Sequence, residues 1–290
     1  MKKKGFVEQY WAYLFVSIPV LLLFIFFYLP LIQGVYYSLT DWSGLARNYN
    51  FVGFNNYIDF LTDSRVLNSL RFTAVFTLSL VSGSIIIGLL IAILLNRKIK
   101  GIGFLRTIYF FPAVISTITL GLIFNQIFSQ GLPQLGAFLG WEWLTNNLLA
   151  RRQTAVGIVI FVALWQGISI PIVIFLSGLQ SVPKDIKEAA LIDGANKWQV
   201  FKKVEFPFLQ TALSMVLILA LRNGISAFDL IFSLTAGGPE NSTTSLGLLV
   251  YNFAFRHNRF GYASALSIIT LLLVTIIAAI QIRLSRKNSI

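Results

Sequence analysis

The sequence contains no cysteine, which removes structural disulfides, thiolate-bound zinc and thiol nucleophiles from consideration. It contains a single histidine, His257, too few for a histidine-rich metal centre. A lone histidine near a loop reads as a solvated polar side chain. Charge is scarce too: only 12% of the 290 residues are Asp, Glu, Lys or Arg, against roughly 25% in an ordinary soluble domain. So few charges cannot coat a soluble fold of this size. No Gly-x-x-x-x-Gly-Lys-Ser/Thr phosphate loop is present, so the chain has no such site for ATP hydrolysis. What abounds is apolar sequence, with 56% hydrophobic residues and a mean hydropathy of +0.76.

A helix that crosses a bilayer needs about 20 mostly apolar residues. Stretches between charges give six such spans, at about 12–37, 69–95, 107–128, 154–177, 207–233 and 260–282. The fifth contains Arg222 and Asp229. Met1 is followed by three lysines and a long apolar run, which resembles a signal peptide. The run is too long for a signal h-region and no small-residue cleavage site follows, so a retained first span is expected. The expected fold class is all-α: a polytopic membrane protein of one domain over residues 1–290, without an internal repeat or a low-complexity linker. Pro19, Pro112, Pro171, Gly83, Gly88, Gly121, Gly167 and Gly224 interrupt the spans and suit kinked, closely packed helices.

The net charge of +12 has a topological cause. One set of connections holds fifteen cations: Lys2, Lys3, Lys4, Arg97, Lys98, Lys100, Arg106, Lys184, Lys187, Lys197, Lys202, Lys203, Arg283, Arg286 and Lys287. The alternate set holds seven: Arg47, Arg65, Arg71, Arg151, Arg152, Arg256 and Arg259. Positive residues are retained on the cytoplasmic side, so both termini are expected to be cytoplasmic. An even number of spans agrees. Nucleic-acid binding is not needed to explain the charge. Trp11, Tyr36, Tyr37, Trp42, Trp141 and Trp143 fall near expected interfaces, where aromatic belts form.

One cytoplasmic loop, 181–207, has structure of its own. Ser181 is a plausible N-cap, Pro183 suits a first helical turn, and Asp185 favours the same positive end. Gly194 can stop this helix in a left-handed conformation. Asn196 then caps a second helix, whose Trp198, Phe201 and Val204 repeat at helical spacing. Pro207 is expected to end that helix and to start span five. Ala189, Ala190 and Ala195 keep the surface low for another protein, while Glu188 and Asp193 supply anions for a basic partner. On the residues alone, an amphipathic loop on lipid headgroups fits equally well.

The order Glu188-Ala189-Ala190, Asp193-Gly194-Ala195, Phe206-Pro207 resembles the EAA loop of ABC-importer permeases. The glycine follows the glutamate by six residues and the proline follows the glycine by thirteen. Phe228-Asp229-Leu230-Ile231 through Thr235-Ala236-Gly237-Gly238-Pro239 is similar to the carbohydrate branch, as is Tyr251 to Phe255 with Gly261-Tyr262-Ala263-Ser264-Ala265. Together these stretches resemble the MalF-like, maltose-transporter-type permease, and the likeness covers nearly the whole chain. It implies a second, related permease, two ATPase subunits that each receive one EAA loop, and an extracytoplasmic binding protein that delivers a sugar. It implies Glu188, Ala189, Ala190, Asp193, Gly194, Ala195 and Pro207 as the ATPase-coupling residues. No cofactor is then expected in this chain, because ATP and magnesium are bound by the ATPase, and a bacterial cell membrane is the expected location.

Sugar sites combine aromatic faces with amide and hydroxyl groups. The candidates inside spans are Ser116, Thr117, Trp165, Gln166, Ser169, Asn223, Ser226 and Asp229. For any one serine or threonine, hydrogen bonding between helices is the commoner role. Gly167 and Gly224 would let backbone approach a ligand. Arg222 lies fifteen residues past Pro207, about 22 Å along a helix, which is near the midplane. A charge there costs at least roughly 2.5–3.5 kcal/mol and needs a partner or a cavity. Two readings stand: Arg222 neutralises an acidic sugar, or it pairs with Asp229, two turns on along the same helix, or with the second permease. An ion-gradient-driven transporter would need ionisable residues in several spans, yet only Arg222 and Asp229 qualify. A membrane enzyme would need a nucleophile–base set or metal ligands, and neither is evident.

Overall fold

The computed structural model describes residues 6–97 and 101–287. Of the cations used for the topology, Lys2, Lys3, Lys4, Lys98 and Lys100 lie outside the described residues. The elements are helices: α1 (Phe6–Leu23), α2 (Leu29–Ser38), α3 (Asn55–Thr62), α4 (Ser64–Leu95), α5 (Ile102–Val114), α6 (Thr117–Gln126), α7 (Leu132–Leu139), α8 (Arg152–Gly167), α9 (Ser169–Gln180), α10 (Lys184–Ile192), α11 (Lys197–Val200), α12 (Phe206–Ile225), α13 (Asp229–Leu234), α14 (Leu246–Tyr251) and α15 (Phe260–Lys287). The β-structure among the described residues is an isolated bridge between Thr40 and Phe51. Four helices are long and apolar enough to cross a membrane, or six if each of two bent helix pairs counts as one span.

Prolines shape these helices in a repeated way. Five-residue π turns at Phe24–Tyr28, Ile127–Gly131 and Phe201–Glu205 precede Pro30, Pro133 and Pro207 by two residues. In each, the residue before the proline donates its N–H five residues back: Leu29 to Phe24, Leu132 to Ile127, Phe206 to Phe201. A proline has no N–H to donate, and in a regular helix its ring collides with the carbonyl four residues back. The wider turn moves that carbonyl aside, so the helix continues. Pro207 therefore does not end a helix, contrary to the sequence reading: Lys197–Ile225 runs unbroken for 29 residues.

The chain forms two compact units. One comprises residues 6–62 with 250–269. Its apolar rod, Tyr13–Ser38, leads into a knot of side chains. The Asn56 amide donates to the carbonyls of Ser38 (2.8 Å) and Thr40 (2.9 Å), and the Ser38 and Tyr57 hydroxyls meet at 2.7 Å. Trp42 stacks on Tyr37 at 4.2 Å and takes Phe260 edge-on at 5.1 Å.

The other unit comprises residues 63–249 with 270–287 and is built around α4. Asp63 caps α4 by accepting the Arg65 N–H at 2.9 Å. Against α4 pack α12, α9 and α8. Their buried core includes Ala92, Ile172, Phe175, Leu179, Leu209 and Val216. Small residues bring these helices close, as membrane helices require. An added Cβ at Gly224 would lie 2.7 Å from the Thr77 Cα and 2.6 Å from its hydroxyl. Gly224→Val is therefore expected to overpack the α4–α12 seam. A loss of about 1–3 kcal/mol follows, to be read as a lower thermal midpoint in detergent.

Two spans that read as continuous are bent. α5 and α6 meet at 94°, because Ile115 is extended (φ −77°, ψ 135°). α8 and α9 meet at 47° around Ile168, three residues before Pro171, whose ring excludes the Gly167 carbonyl from a regular helix. Span five also stops early. α12 ends at Ile225, and Ser226–Phe228 are non-helical before α13.

Candidate transport cavity and coupling surface

The segment between α9 and α12 forms a two-helix knob. Ser181 is not its N-cap: the hydroxyl donates back to the Gly178 carbonyl at 2.8 Å, and Pro183 holds the cap position of α10. Asp185 lies in the first turn of α10, where the helix dipole favours it. At the other end Gly194 is left-handed (φ +82°). The Ala195 N–H bonds the Ala190 carbonyl at 3.0 Å and the Gly194 N–H bonds the Leu191 carbonyl at 3.1 Å, a Schellman stop. Asn196 then starts α11 with a reciprocal capping box. The Gln199 N–H reaches the Asn196 side-chain oxygen at 2.9 Å, and the Asn196 N–H reaches the Gln199 side-chain oxygen Oε1 at 2.8 Å. Glu188, Ala189, Asp193 and Gly194 are exposed; Ala190 and Ala195 are half-buried. Ile192 and Trp198 are exposed as well, at 85% and 67%. Apolar side chains so open, beside the exposed carboxylates of Glu188 and Asp193, suit a surface that another protein covers.

The chains of α8–α9 and α12, which enter and leave this knob, also wall a cavity of about 530 Å³. Its lining combines Gln166 and Gly167 at the end of α8, Arg222 and Asn223 in the last turn of α12, and Asp229 at the start of α13. Thr117 and Ser226 join them. Arg222, Asn223, Ser226 and Asp229 are all exposed to this space. The break after Ile225 places Arg222 and Asp229 on different helices, so the expected two-turn spacing on one face does not hold. Neither forms an ion pair among the described residues.

Gln166 also has a structural duty. Its amide donates to the Ile115 carbonyl (3.2 Å) and to the Thr117 hydroxyl (3.1 Å), which satisfies the groups freed by the α5–α6 bend. Four expected site residues fall outside the cavity. Trp165 packs edge-on against Phe124 at 5.4 Å. Ser116 is exposed at the bend and does not line the space. Gly224 turns its bare face to Thr77, so it serves helix packing and not a ligand. Ser169 likewise bonds the Tyr109 carbonyl. Sequence reasoning missed Phe76 and Ser84 of α4 and Phe228 of the break, which also line the cavity. Phe228 supplies an aromatic face. Inside an unbroken apolar span, nothing marked Phe76 or Ser84 for this role.

Apolar spans, a polar cavity between bent helices and an exposed two-helix knob are the features of a multi-pass membrane transport subunit. The chain belongs to the family of binding-protein-dependent transport system inner membrane components, whose pattern matches residues 84–290. It is 50% identical over 281 residues to the multiple sugar-binding transport system permease protein MsmF of Streptococcus mutans, covering 97% of each chain. It is 35% identical over 289 residues to a probable starch degradation products transport system permease protein, AmyD, of Thermoanaerobacterium thermosulfurigenes, covering 100% of this chain and 98% of the relative. A chain of a bacterial ABC transporter that imports the acidic polysaccharide alginate shares the fold at a TM-score of 0.80 and 18% identity, over 97% of this chain and 96% of the other. The protein is thus a permease and not an enzyme.

Proposed function

We propose that this chain is one of two related permease subunits of an ATP-binding-cassette importer for a sugar or oligosaccharide. The carrying observation is that α8–α9 and α12 both wall the polar cavity and both run into the two-helix knob. A displacement of the knob would move two walls of the path at once. Two ATPase subunits, which bind the ATP and magnesium, each receive one such knob, and an extracytoplasmic binding protein hands over the substrate. Glu188, Ala189, Ala190, Asp193, Gly194 and Ala195 form the docking face, while Pro207 lies where the knob continues into α12. ATP closure then exchanges inward-open and outward-open states as a rigid-body change, driven by differential affinity for ATP. The whole chain acts as one permease domain in a bacterial cell membrane. Both termini face the cytoplasm, as fifteen cations against seven support.

Arg222 and Asp229 share the cavity, so one positive and one negative group face the substrate. That balance favours a neutral, hydroxyl-rich sugar whose hydroxyls accept from the guanidinium and donate to the carboxylate. Hydrogen bonds to charged groups contribute about 1.5–3 kcal/mol. Arg222→Ala is therefore expected to lower uptake about tenfold or more for neutral oligosaccharides. Uptake of neutral and uronate-containing oligosaccharides into proteoliposomes holding the assembled importer tests this. A loss confined to the uronate would overturn the neutral-sugar reading and restore the acidic one.

A further inference from the structure

The Lys187 side chain lies between three elements. From α10 its ammonium reaches the Glu205 carboxylate at 2.8 Å and the Leu179 carbonyl at 3.5 Å. Leu179 is in the last turn of α9, where carbonyls lack helical partners and a cation is favoured. Glu205 is the last residue of the π turn that leads into α12. Both charged side chains are largely shielded, at 22% and 19% exposure, so water screens this pair less than a surface pair. The neighbouring residue, Glu188, is exposed. One turn of α10 thus offers an outer face to a partner and an inner ammonium to the two helices that wall the cavity.

Resting on the coupling reading above, we propose that Lys187 and Glu205 form the strut that carries motion of α10 to α9 and α12. α10 is short, and its stop at Gly194 has open space around it. Without a tie, a push on the docking face would tilt α10 about its two loops and dissipate there. With the tie, the Leu179 carbonyl and the Glu205 carboxylate move with the ammonium, and the cavity walls follow. Lys187 and Glu205 are positioning residues: neither lines the cavity, and Glu188 carries the outer face. The Lys187 alkyl stem would still pack in a Lys187→Met variant, and Glu205→Gln keeps shape and hydrogen-bonding capacity. Each therefore removes the ion pair and little else.

The test uses the complete importer in proteoliposomes, with Lys187→Met, Glu205→Gln, the double variant and Lys187→Arg. Three quantities are measured: co-purification of the ATPase, ATP hydrolysis, and sugar taken up per ATP hydrolysed. Each single variant is expected to keep the ATPase bound but to lower uptake per ATP about tenfold, which is about 1.4 kcal/mol of coupling. Residues that act through each other are not additive, so the double variant falls no further than either single one. Lys187→Arg, which keeps the charge and the donors, restores most of the ratio. Wild-type uptake per ATP in either single variant overturns the strut. So does a double variant whose loss is the product of the two. Loss of the ATPase from either single variant would place these residues in docking instead and also overturn it. Failure of the coupling reading itself would show separately, as an ATPase that stays bound when Glu188 is reversed.

Discussion

Glu188→Lys is expected to strip the ATPase from the complex and to abolish ATP-dependent uptake, while the permease itself still folds. Glu188 sits on the exposed side of α10 and makes no ion pair among the described residues, so the fold does not depend on its charge. Two unit charges 4 Å apart interact by about 4 kcal/mol where the effective dielectric is near 20. Reversing one of them turns attraction into repulsion of similar size, and a loss of at least about a hundredfold in affinity follows even if most of that is screened. Gly194→Pro should reach the same result by a different route. Gly194 holds φ at +82° and donates its N–H to Leu191 at 3.1 Å. Proline is locked near −65° and has no N–H, so the stop of α10 and the entry into α11 would be redirected. Co-purification of tagged permease with the ATPase, followed by an uptake assay, checks both. An ATPase that remains bound in both variants would remove this loop from the interface.

Much of this arrangement was legible in the sequence, and the reasons differ by element. The knob was readable because its signals are local: a glycine that must turn left-handed at 194 and an asparagine whose side chain caps at 196. Its start was misread because Ser181 had a nearer acceptor, the Gly178 carbonyl of the preceding turn. Pro207 was misread for a related reason. A proline removes one donor and crowds one carbonyl, and a π turn a few residues earlier absorbs both without ending the helix. Hydropathy located the apolar stretches but not their bends, since a bent and a straight helix have the same composition. The 94° turn after Ile115 depends on Gln166, about fifty residues away, which satisfies the exposed carbonyl. Among the expected path residues, Gln166, Gly167, Arg222, Asn223 and Asp229 meet in one cavity. Trp165 and Gly224 do not, because each neighbours a cavity residue in sequence while facing the other side of its helix.

Gly167→Trp should block transport without disturbing the fold or the docking face. Gly167 is exposed, lines the cavity, and has no heavy atom within 4 Å of an added Cβ. Its backbone is not in the left-handed region, so a larger residue meets no conformational penalty, and glycine is a poor helix former in any case. The contrast with Gly224 is instructive: there the added atom would strike Thr77 of α4, and the expected effect is on stability. An indole at Gly167 would extend into the cavity that Gln166, Arg222 and Asn223 also line. It would occupy the space a sugar ring needs and cover the polar groups that would bind it. Uptake is expected to fall at least about a hundredfold, equivalent to about 2.7 kcal/mol. The thermal midpoint, ATPase co-purification and basal ATP hydrolysis should remain at wild-type levels. Gly167→Ala, which adds one methyl group to open space, should transport nearly as the wild type does. The pair separates a plugged path from a damaged protein: normal uptake by Gly167→Trp would mean that the sugar passes elsewhere.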